Sequence, residues 1–384
     1  MKTFKKVAAI VLAIFMLLSV CGCHKKDEIA VKIGDVEFTS AYYQCALIHA
    51  DMHARAKVDA AKASETTDTA TATDYYAEKI DKKSYTDWVK DTAIKNLRDI
   101  AAFKTLCKEN KLVLTEDAQN TAKQYASAFW SSFSVLFEPN GVSEATFTKY
   151  IEDYAFIGDD SVLQTFISSS LGYSGNLYTS YYENRYFDFV YGASGKKEIK
   201  EEDLKSVMNE KFVSVNLISI SYDGLEDADK QAKADLVNGW AEALTKKTKT
   251  FLQVYNEYLK TQATDGQEVQ EATEEDIQPY ILGAEGTEYA SERFDEVKAL
   301  ATDEVKVINE DDDAGVSLVV KKDINADENI FSNDSFKTTL RRTIKGEEFE
   351  KDMEAYAKAL KVKEIKSATK QFKVKEIEYP QAQD

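Results

Sequence analysis

The chain has 384 residues and a formal charge of −18, and hydrophobic residues make up 43% of it. This length is enough for two or three domains, and the apolar content is enough to build buried cores. The acidic balance argues against binding to nucleic acid and against adhesion to anionic lipid head groups.

The N-terminal residues are typical of a bacterial lipoprotein signal. Basic residues at positions 2, 5 and 6 precede an apolar run over Val7–Val20, which is shorter than the ~20 residues of a membrane-spanning helix. Gly22 precedes Cys23, and the aliphatic Val20 lies three residues before it. We therefore expect Cys23 to be lipidated and to become the new N-terminus, with an ordinary secretory signal or an N-terminal anchor as the alternative. A lipidated chain would work on the extracytoplasmic side of the cell membrane.

Few residues in the mature chain have metal or redox chemistry. Cys45 and Cys107 both lie on apolar faces of predicted helices, where they could form a disulfide or remain buried free thiols. His49 and His53 are four residues apart on one helix face, a spacing that suits a metal ion. No cluster of cysteines or carboxylates accompanies them, so we predict no metal site and no cofactor.

The first half of the chain is predicted to be helical after a short hairpin. The segment Ile29–Thr39 alternates in polarity around Gly34-Asp35, as expected of a tight strand pair. Apolar residues then recur at steps of three and four, which gives each helix one buried stripe. The predicted helices run from Ser40 to about Lys62, from Ser84 to Asn110, from Thr115 to Pro139-Asn140-Gly141 and from Ser143 to about Ser170. A Thr- and Ala-rich loop is expected at 64–74, and a linker or short helix at Leu171–Asn184.

The pattern becomes mixed after Lys200, where short strands alternate with helices. We predict a short acidic helix from Lys200, a strand containing Val213, Val215 and Leu217, helices over Asp227–Leu244, Phe251–Leu259 and Phe294–Leu300, and strands over Val305–Ile308 and Val316–Val320. The last two strands flank the acidic run Asn309–Gly315. That run lacks the spacing and the distal Glu of a calcium-binding hand, so it is predicted to be a solvated hairpin turn.

The C-terminal segment is predicted to be a long helix, capped by Ser335 and ending near Leu360, followed by a strand over Phe372–Tyr379. Helices therefore stand on both sides of a mixed middle. The predicted fold class is α+β, with a mainly helical domain formed by the N- and C-terminal segments and a small inserted α+β domain. The predicted segments are a signal peptide at 1–22, a tether at 23–28, a helical segment at 29–188, the insert at 189–324, and a C-terminal helix and strand at 325–384 that pack back on the N-terminal segment.

Several stretches of the chain resemble one family. Ala30–Gln44 and Ser84–Leu112 are similar to the opening strand, turn and helices of PrsA- and SurA-like extracytoplasmic foldases, which are chaperones with a parvulin-type peptidyl-prolyl isomerase domain. Lys197–Tyr222 resembles the start of that domain, and Arg293–Ile308 and Gly315–Ile324 resemble its end. The resemblance implies that the insert is a parvulin-like domain. It also implies that the partners are unfolded or secreted polypeptides and, through the lipid anchor, the membrane, with a homodimer left open.

The chain departs from the family where the isomerase chemistry is expected. Parvulin domains place one histidine in the first strand and another in the last, but Asn216, Leu217 and Ser317 occupy the candidate positions here. The glycine-rich stretch before the final helix is reduced to Gly283 and Gly286. The resemblance thus implies a chaperone with a degenerate parvulin domain and leaves isomerase activity uncertain.

Other functions fit the sequence less well. A solute- or peptide-binding lipoprotein would need two α/β lobes with parallel strands, and this chain is too helical for that. A structural protein of the cell envelope remains as a further alternative. A hydrolase is disfavoured, because the chain contains no nucleophile elbow and no triad motif.

Overall fold

A computed structural model describes most of the chain and divides it into two compact units. The described residues are 28–63, 73–113, 116–154, 181–263, 269–310 and 314–379. Those within Met1–Val190 and Glu348–Asp384 form the first unit, and Tyr191–Glu347 form the second. The predicted lipidation site Cys23, residues 64–72 of the loop predicted at 64–74, and the end of the fourth predicted helix lie outside the described residues. The architecture is α+β, as the sequence predicts.

The first part of the chain is a hairpin followed by helices. Its elements are β1 (Ile29–Ile33), β2 (Val36–Thr39), α1 (Ser40–Ala63), β3 (Lys79–Ile80), β4 (Lys83–Ser84), α2 (Tyr85–Glu109), α3 (Glu116–Phe137), α4 (Glu144–Tyr154) and α5 (Tyr181–Tyr191). Gly34 turns the β1–β2 hairpin with φ = 57°, a backbone conformation that glycine adopts without strain. The predicted hairpin and the helices that begin near Ser40 and Ser84 are confirmed.

Helix α2 shows how the sequence specifies one of these elements. The Ser84 side chain accepts a hydrogen bond from the backbone N–H of Asp87 and caps the helix. Val89, Ala93 and Leu97 form the buried stripe, which packs in the core of the first unit. The cap and the stripe are both local features, and for this reason the sequence locates the helix correctly.

The middle of the chain is a four-stranded sheet with helices on its faces. Its elements are α6 (Glu201–Lys211), β5 (Phe212–Ser221), α7 (Asp227–Thr245), α8 (Phe251–Gln262), β6 (Tyr280–Gly283), α9 (Phe294–Lys298), β7 (Val305–Asn309), β8 (Gly315–Lys322) and α10 (Glu328–Ser332). The strand order is β6-β5-β8-β7, and every pair is antiparallel. Strand β6 lies in a stretch to which sequence patterns assigned no strand.

The C-terminal part of the chain contributes to both units. Its elements are α11 (Asp334–Ala359), β9 (Val362–Glu364) and α12 (Lys366–Thr369). Phe336 and Leu340 of α11 pack with Leu204, Met208 and Phe212. The second unit therefore extends to Glu347, beyond the predicted end of the insert at residue 324.

The two ends of the first unit share one sheet. Strand β9 pairs with β1 on the side opposite β2, in antiparallel register with Val31 facing Glu364. Val31 and Ile33 of β1 are fully buried beneath this sheet. The sheet thus depends on residues that are more than 300 positions apart in the chain.

The predicted strand over Phe372–Tyr379 is wrong. This segment contains a 3₁₀ turn at Val374–Glu376, and Val374 and Ile377 are buried three residues apart. The Asn140 side chain takes the place of a partner strand, because its Nδ2 donates to the Glu378 carbonyl at 2.8 Å and its Oδ1 accepts from the Glu378 N–H at 2.9 Å. A side chain that satisfies the backbone in this way removes the need for a sheet ladder.

A buried carboxylate holds the same segment. Asp51 on α1 is inaccessible to solvent and accepts hydrogen bonds at Oδ2 from Arg55 Nε at 2.9 Å and from the Tyr379 hydroxyl at 2.8 Å. The Arg55 guanidinium lies 3.8 Å from the Tyr379 ring centroid and 4.4 Å from that of Tyr75. Burial lowers the pKa of Arg55, but the hydrogen bond and charge of Asp51 outweigh burial and raise that pKa overall.

Cys45 and Cys107 are buried free thiols, the second of the two arrangements left open by the sequence. Burial raises the pKa of both, that of Cys107 to about 11. Among the described helices, none has the length and apolar character needed to cross a bilayer.

We expect Asp51→Ala to destabilise the first unit by about 2–4 kcal/mol, because it leaves Arg55 without its buried partner and Tyr379 without its acceptor. Tyr379→Phe keeps the ring over Arg55 and should cost only about 1 kcal/mol. Urea unfolding of the chain from His24, which keeps every described residue, measures both effects. Asp91→Ala is the control, because its ion pair with Lys83 is solvent-exposed on both sides and should contribute little. An equal loss for Asp51→Ala and Asp91→Ala would contradict the prediction.

Candidate functional site

The central strand pair of the second unit brings the candidate positions of its first and last strands together. Strands β5 and β8 are antiparallel neighbours, with Leu217 facing Val319 and Ser219 facing Ser317. Residues two apart on a strand share a face. Leu217, Ser219 and Ser317 therefore lie on one face of the sheet, and Asn216 lies on the other. Of the predicted positions, the structure thus brings Leu217 and Ser317 to one surface and leaves Asn216 apart from them.

The two faces of this sheet are covered to different extents. Ile218, Ile220 and Leu318 pack beneath α7 and α8, against residues that include Val237, Trp240 and Val254. Val213, Val215 and Val319 on the other face pack against Phe294 and Val297 of α9. Because α9 has only five residues, it covers only part of that face. A pocket of about 380 Å³ occupies the sheet beside it.

The pocket has apolar walls around a polar centre. Its walls include Leu217, Leu282, Val297, Ile308 and Val319. Its polar lining comprises three serines, two glutamates, one arginine and two tyrosines. Such a combination of apolar surface and a few placed polar groups is typical of a ligand site.

The polar centre is a chain of three side chains. The Ser219 and Ser317 hydroxyl oxygens are 2.7 Å apart across the two strands. The Ser317 hydroxyl donates to Glu310 Oε1 at 2.6 Å. The second oxygen of Glu310 lies 3.7 Å from Arg293 Nη2, and that nitrogen also donates to the Asn309 carbonyl at 3.3 Å. Ser317 is 4% exposed, whereas Ser219 is exposed at the pocket surface.

Two tyrosines stand at the rim of the pocket. Tyr280 on the edge strand β6 is 56% exposed, and Tyr289 on the loop after that strand is 38% exposed. The inner side of the Tyr289 ring packs against Phe212 and Phe336. Burial, followed by the charge of Glu288, raises the pKa of Tyr289 above its usual value. The rim therefore offers amphipathic aromatic surface to a ligand.

Two glycines shape the loop that carries Tyr289. Gly286 has φ = 80°, which favours glycine at this turn. The backbone N–H of Gly283 donates to the Tyr289 carbonyl at 2.6 Å, so the loop folds back onto the strand. A Cβ on Gly283 would lie 2.1 Å from Thr287 Oγ1 and 3.1 Å from the Tyr289 backbone. The loop also carries Glu288, whose carboxylate accepts a hydrogen bond from Thr339.

The first unit has a larger groove, lined by charged and apolar side chains. Its volume is about 560 Å³, and it lies among α2, the end of α11 and β9. Many of its charged groups already form pairs within the groove, among them Lys95 with Asp99 and Lys358 with Glu354. The pocket on the sheet is taken as the candidate site because it contains the predicted positions Leu217 and Ser317.

The histidine pair does not lie in a metal-binding cluster. His53 Nε2 lies 3.1 Å from His49 Nε2, and His49 Nδ1 lies 2.9 Å from the Tyr150 hydroxyl. Among the described residues no group of three or more His, Cys, Asp or Glu side chains could hold a metal ion. Residues 311–313 of the acidic run lie outside the described residues, but β7 and β8 on either side of them pair as the predicted hairpin.

Sequence analysis missed Ser219, Glu310, Tyr280 and Tyr289. Ser219 continues the alternation of Val213, Val215 and Leu217, so the period of two could have placed it on the pocket face. Glu310 belongs to an acidic run that is predicted to be a solvated turn. That prediction gives no indication that Glu310 lies beside Ser317. The register of β5 against β8, which makes Ser219 and Ser317 partners, is not a local property of either strand.

The sequence was compared with models of known protein families and with curated proteins, and neither comparison found a match.

We expect Gly283→Ala to destabilise the rim loop, at a cost of about 1–3 kcal/mol, because the added methyl group overlaps Thr287 Oγ1 and presses on the Tyr289 backbone. Denaturant unfolding and tyrosine fluorescence of the chain from His24 measure this change. Gly239→Ala on α7 is the matched control, since its Cβ would meet nothing within 4 Å and should stabilise the helix by about 0.5–1 kcal/mol. If both variants were stabilised, the close approach at Gly283 would have no energetic role.

Proposed function

We propose that the protein is a membrane-anchored, extracytoplasmic chaperone or foldase-like lipoprotein that binds unfolded or secreted polypeptides. The observation that carries the proposal is the half-apolar pocket on the second unit, open beside a short helix and bordered by exposed Tyr280 and Tyr289.

The chemistry of the pocket suits a polypeptide segment. Its apolar walls can take up an aliphatic or aromatic side chain, and the two tyrosines add contact surface that tolerates different sequences. A volume of about 380 Å³ suits one or a few side chains of an extended chain and excludes a folded domain. Strand β6, which carries Tyr280, is at the edge of its sheet. The loop bonds to Gly283 at one end of its outer side, and the remainder can lie along an extended backbone.

The proposed identity of the second unit is a degenerate parvulin-like domain. The resemblance implies two functional positions on the first and last strands, and here these strands are β5 and β8, direct neighbours at the centre of the sheet. The cross-strand pair that faces the pocket is Ser219 with Ser317. Asn216 and Leu217 on the first strand and Ser317 on the last would stand where the family has histidines, and the lack of imidazole supports binding more than it supports isomerase chemistry.

The proposed location follows from the leader. The apolar run and the Gly22-Cys23 pair are what lipid attachment at Cys23 requires. Two acyl chains would hold the chain stably at the outer face of the membrane. The charge of −18 keeps the polypeptide-binding body away from anionic head groups.

Binding of unfolded polypeptides predicts that the chain from His24 suppresses the aggregation of a reduced, unfolded client at near-stoichiometric ratio. Tyr280→Ala should weaken this suppression several-fold, because it removes exposed aromatic surface at the pocket without opening a core. Light scattering of the client at increasing chaperone concentration measures the effect. Val113→Ala is the control, since Val113 is 70% exposed in the first unit and far from the pocket in the chain. The proposal fails if the unaltered chain leaves aggregation unchanged.

Lipidation is tested by two single variants of the leader. Cys23→Ser should abolish incorporation of a clickable palmitate analogue and shift the protein from the membrane to the soluble or unprocessed fraction. Cys21→Ser lies in the same leader and should leave both unchanged, because the bulkier Val20 precedes it and Gly22 precedes Cys23. Labelling that depends on Cys21, or labelling of neither residue, would contradict the assignment.

A further inference from the structure

The pocket of the second unit contains a hydrogen-bond chain whose direction is fixed. A carboxylate can only accept, so the single hydroxyl hydrogen of Ser317 is committed to Glu310 Oε1 at 2.6 Å. In the 2.7 Å contact between the two serines, Ser219 must then be the donor and Ser317 the acceptor. The chain therefore runs from Ser219 through Ser317 to Glu310, and each bond polarises the next.

This direction decides what Ser219 can offer a ligand. Its hydrogen points along the sheet to Ser317, and its lone pairs are left on the exposed side of the strand. A ligand atom that bonds to Ser219 must consequently bring a hydrogen, as a peptide N–H or an ammonium group does. Proline has no backbone N–H, so the ligand residue that donates its backbone N–H to Ser219 cannot be a proline.

The charges around the pocket point to the same class of ligand. Two carboxylates, Glu288 and Glu310, line it with one guanidinium, Arg293. Glu310 is 37% exposed at its side chain, so its carboxylate is reachable from the pocket. The acidic charge of the whole chain adds a long-range attraction for cations.

We infer that the pocket is a holding site for extended polypeptide segments that present a lysine or arginine among apolar residues, with Ser219 accepting a backbone N–H and Glu310 attracting the cationic side chain. The inference rests on the proposed function and names the class of polypeptide that the same site selects.

The fixed direction also bears on prolyl isomerisation. Twisting an X–Pro bond destroys the amide resonance and leaves a lone pair on the prolyl nitrogen. A hydrogen-bond donor would stabilise that lone pair, whereas Ser219 presents its own lone pairs. The site therefore holds polypeptides without accelerating the rotation of X–Pro bonds.

The first experiment measures binding of short labelled apolar peptides to the chain from His24 by fluorescence anisotropy. Three peptides differ only at the central residue, which is lysine, norleucine or glutamate. The lysine peptide should bind about tenfold more tightly than the norleucine peptide, the value of one charge-assisted hydrogen bond, and the glutamate peptide should bind most weakly.

Two substitutions separate the roles of the side chains. Glu310→Gln should bring the affinities for the lysine and norleucine peptides close together, and Glu296→Gln, whose carboxylate pairs with Lys306 outside the pocket, should preserve the difference. Ser219→Ala should lower the affinity for both peptides about threefold or more. Ser221→Ala, on the same strand and face, should leave both affinities unchanged. N-methylation of the peptide bond that contacts Ser219 should weaken binding to the unaltered chain and have no further effect on Ser219→Ala.

The outcomes distinguish the inference from the function on which it rests. Equal affinity for the lysine and norleucine peptides, no effect of Ser219→Ala, or acceleration of X–Pro rotation in a protease-coupled assay would each overturn the inference. If the chain suppresses aggregation but binds none of the peptides, the inference fails and the chaperone function stands. If it neither binds peptides nor suppresses aggregation, the proposed function itself fails.

Discussion

The antiparallel pairing of β5 with β8 is the constraint on which the second unit depends. Eight residue pairs fix the register from Ser214 facing Lys322 to Ser221 facing Gly315. A slip of one residue would turn every side chain to the other face of the sheet. Ile218 and Leu318 would then leave the core beneath α7 and α8, and Ser219 would leave the pocket. Core and pocket are thus two consequences of one register.

The first unit is held together by contacts between the ends of the chain. Strand β1 is central in its sheet only because β9 arrives from the C-terminal segment. Asp51 and Asn140 then hold the last described residues through Tyr379 and Glu378. The longest of these contacts, between β1 and β9, close a loop of more than 300 residues, and the conformational entropy of that closure is lost before the contacts stabilise the unit. The second unit, by contrast, consists of one continuous stretch, Tyr191–Glu347. Its apolar core therefore needs no contact with residues after Glu347.

Local patterns predicted the parts of this fold that local physics determines. The stripe of α2 and its Ser84 cap lie within one helix, and the alternation of Val213, Val215 and Leu217 lies within one strand. The short strands β6 and β9 were missed because a few residues of strand gain stability only from the partners beside them. The segment Phe372–Tyr379 alternates like a strand, yet Val374 and Ile377 are buried at a spacing of three and Asn140 satisfies the backbone. The pairing of Ser219 with Ser317, and with it the candidate site, depends on register between strands almost 100 residues apart, which no single window of sequence contains.

The hydroxyl pair at Ser219 and Ser317 differs from an imidazole in more than the size of its side chains. A neutral imidazole can exchange its donor and acceptor nitrogens, and it can take up a proton near neutral pH. A hydroxyl bonded to a carboxylate has no such freedom, because the acceptor at the end of the chain fixes each hydrogen in turn. Catalysis on an amide bond needs groups that can switch between donating and accepting a hydrogen bond as the bond twists. Binding a peptide needs only an acceptor in a fixed position. Glu310 therefore fixes the direction of the hydrogen-bond chain, and without this carboxylate the two serines would remain free to donate to a ligand.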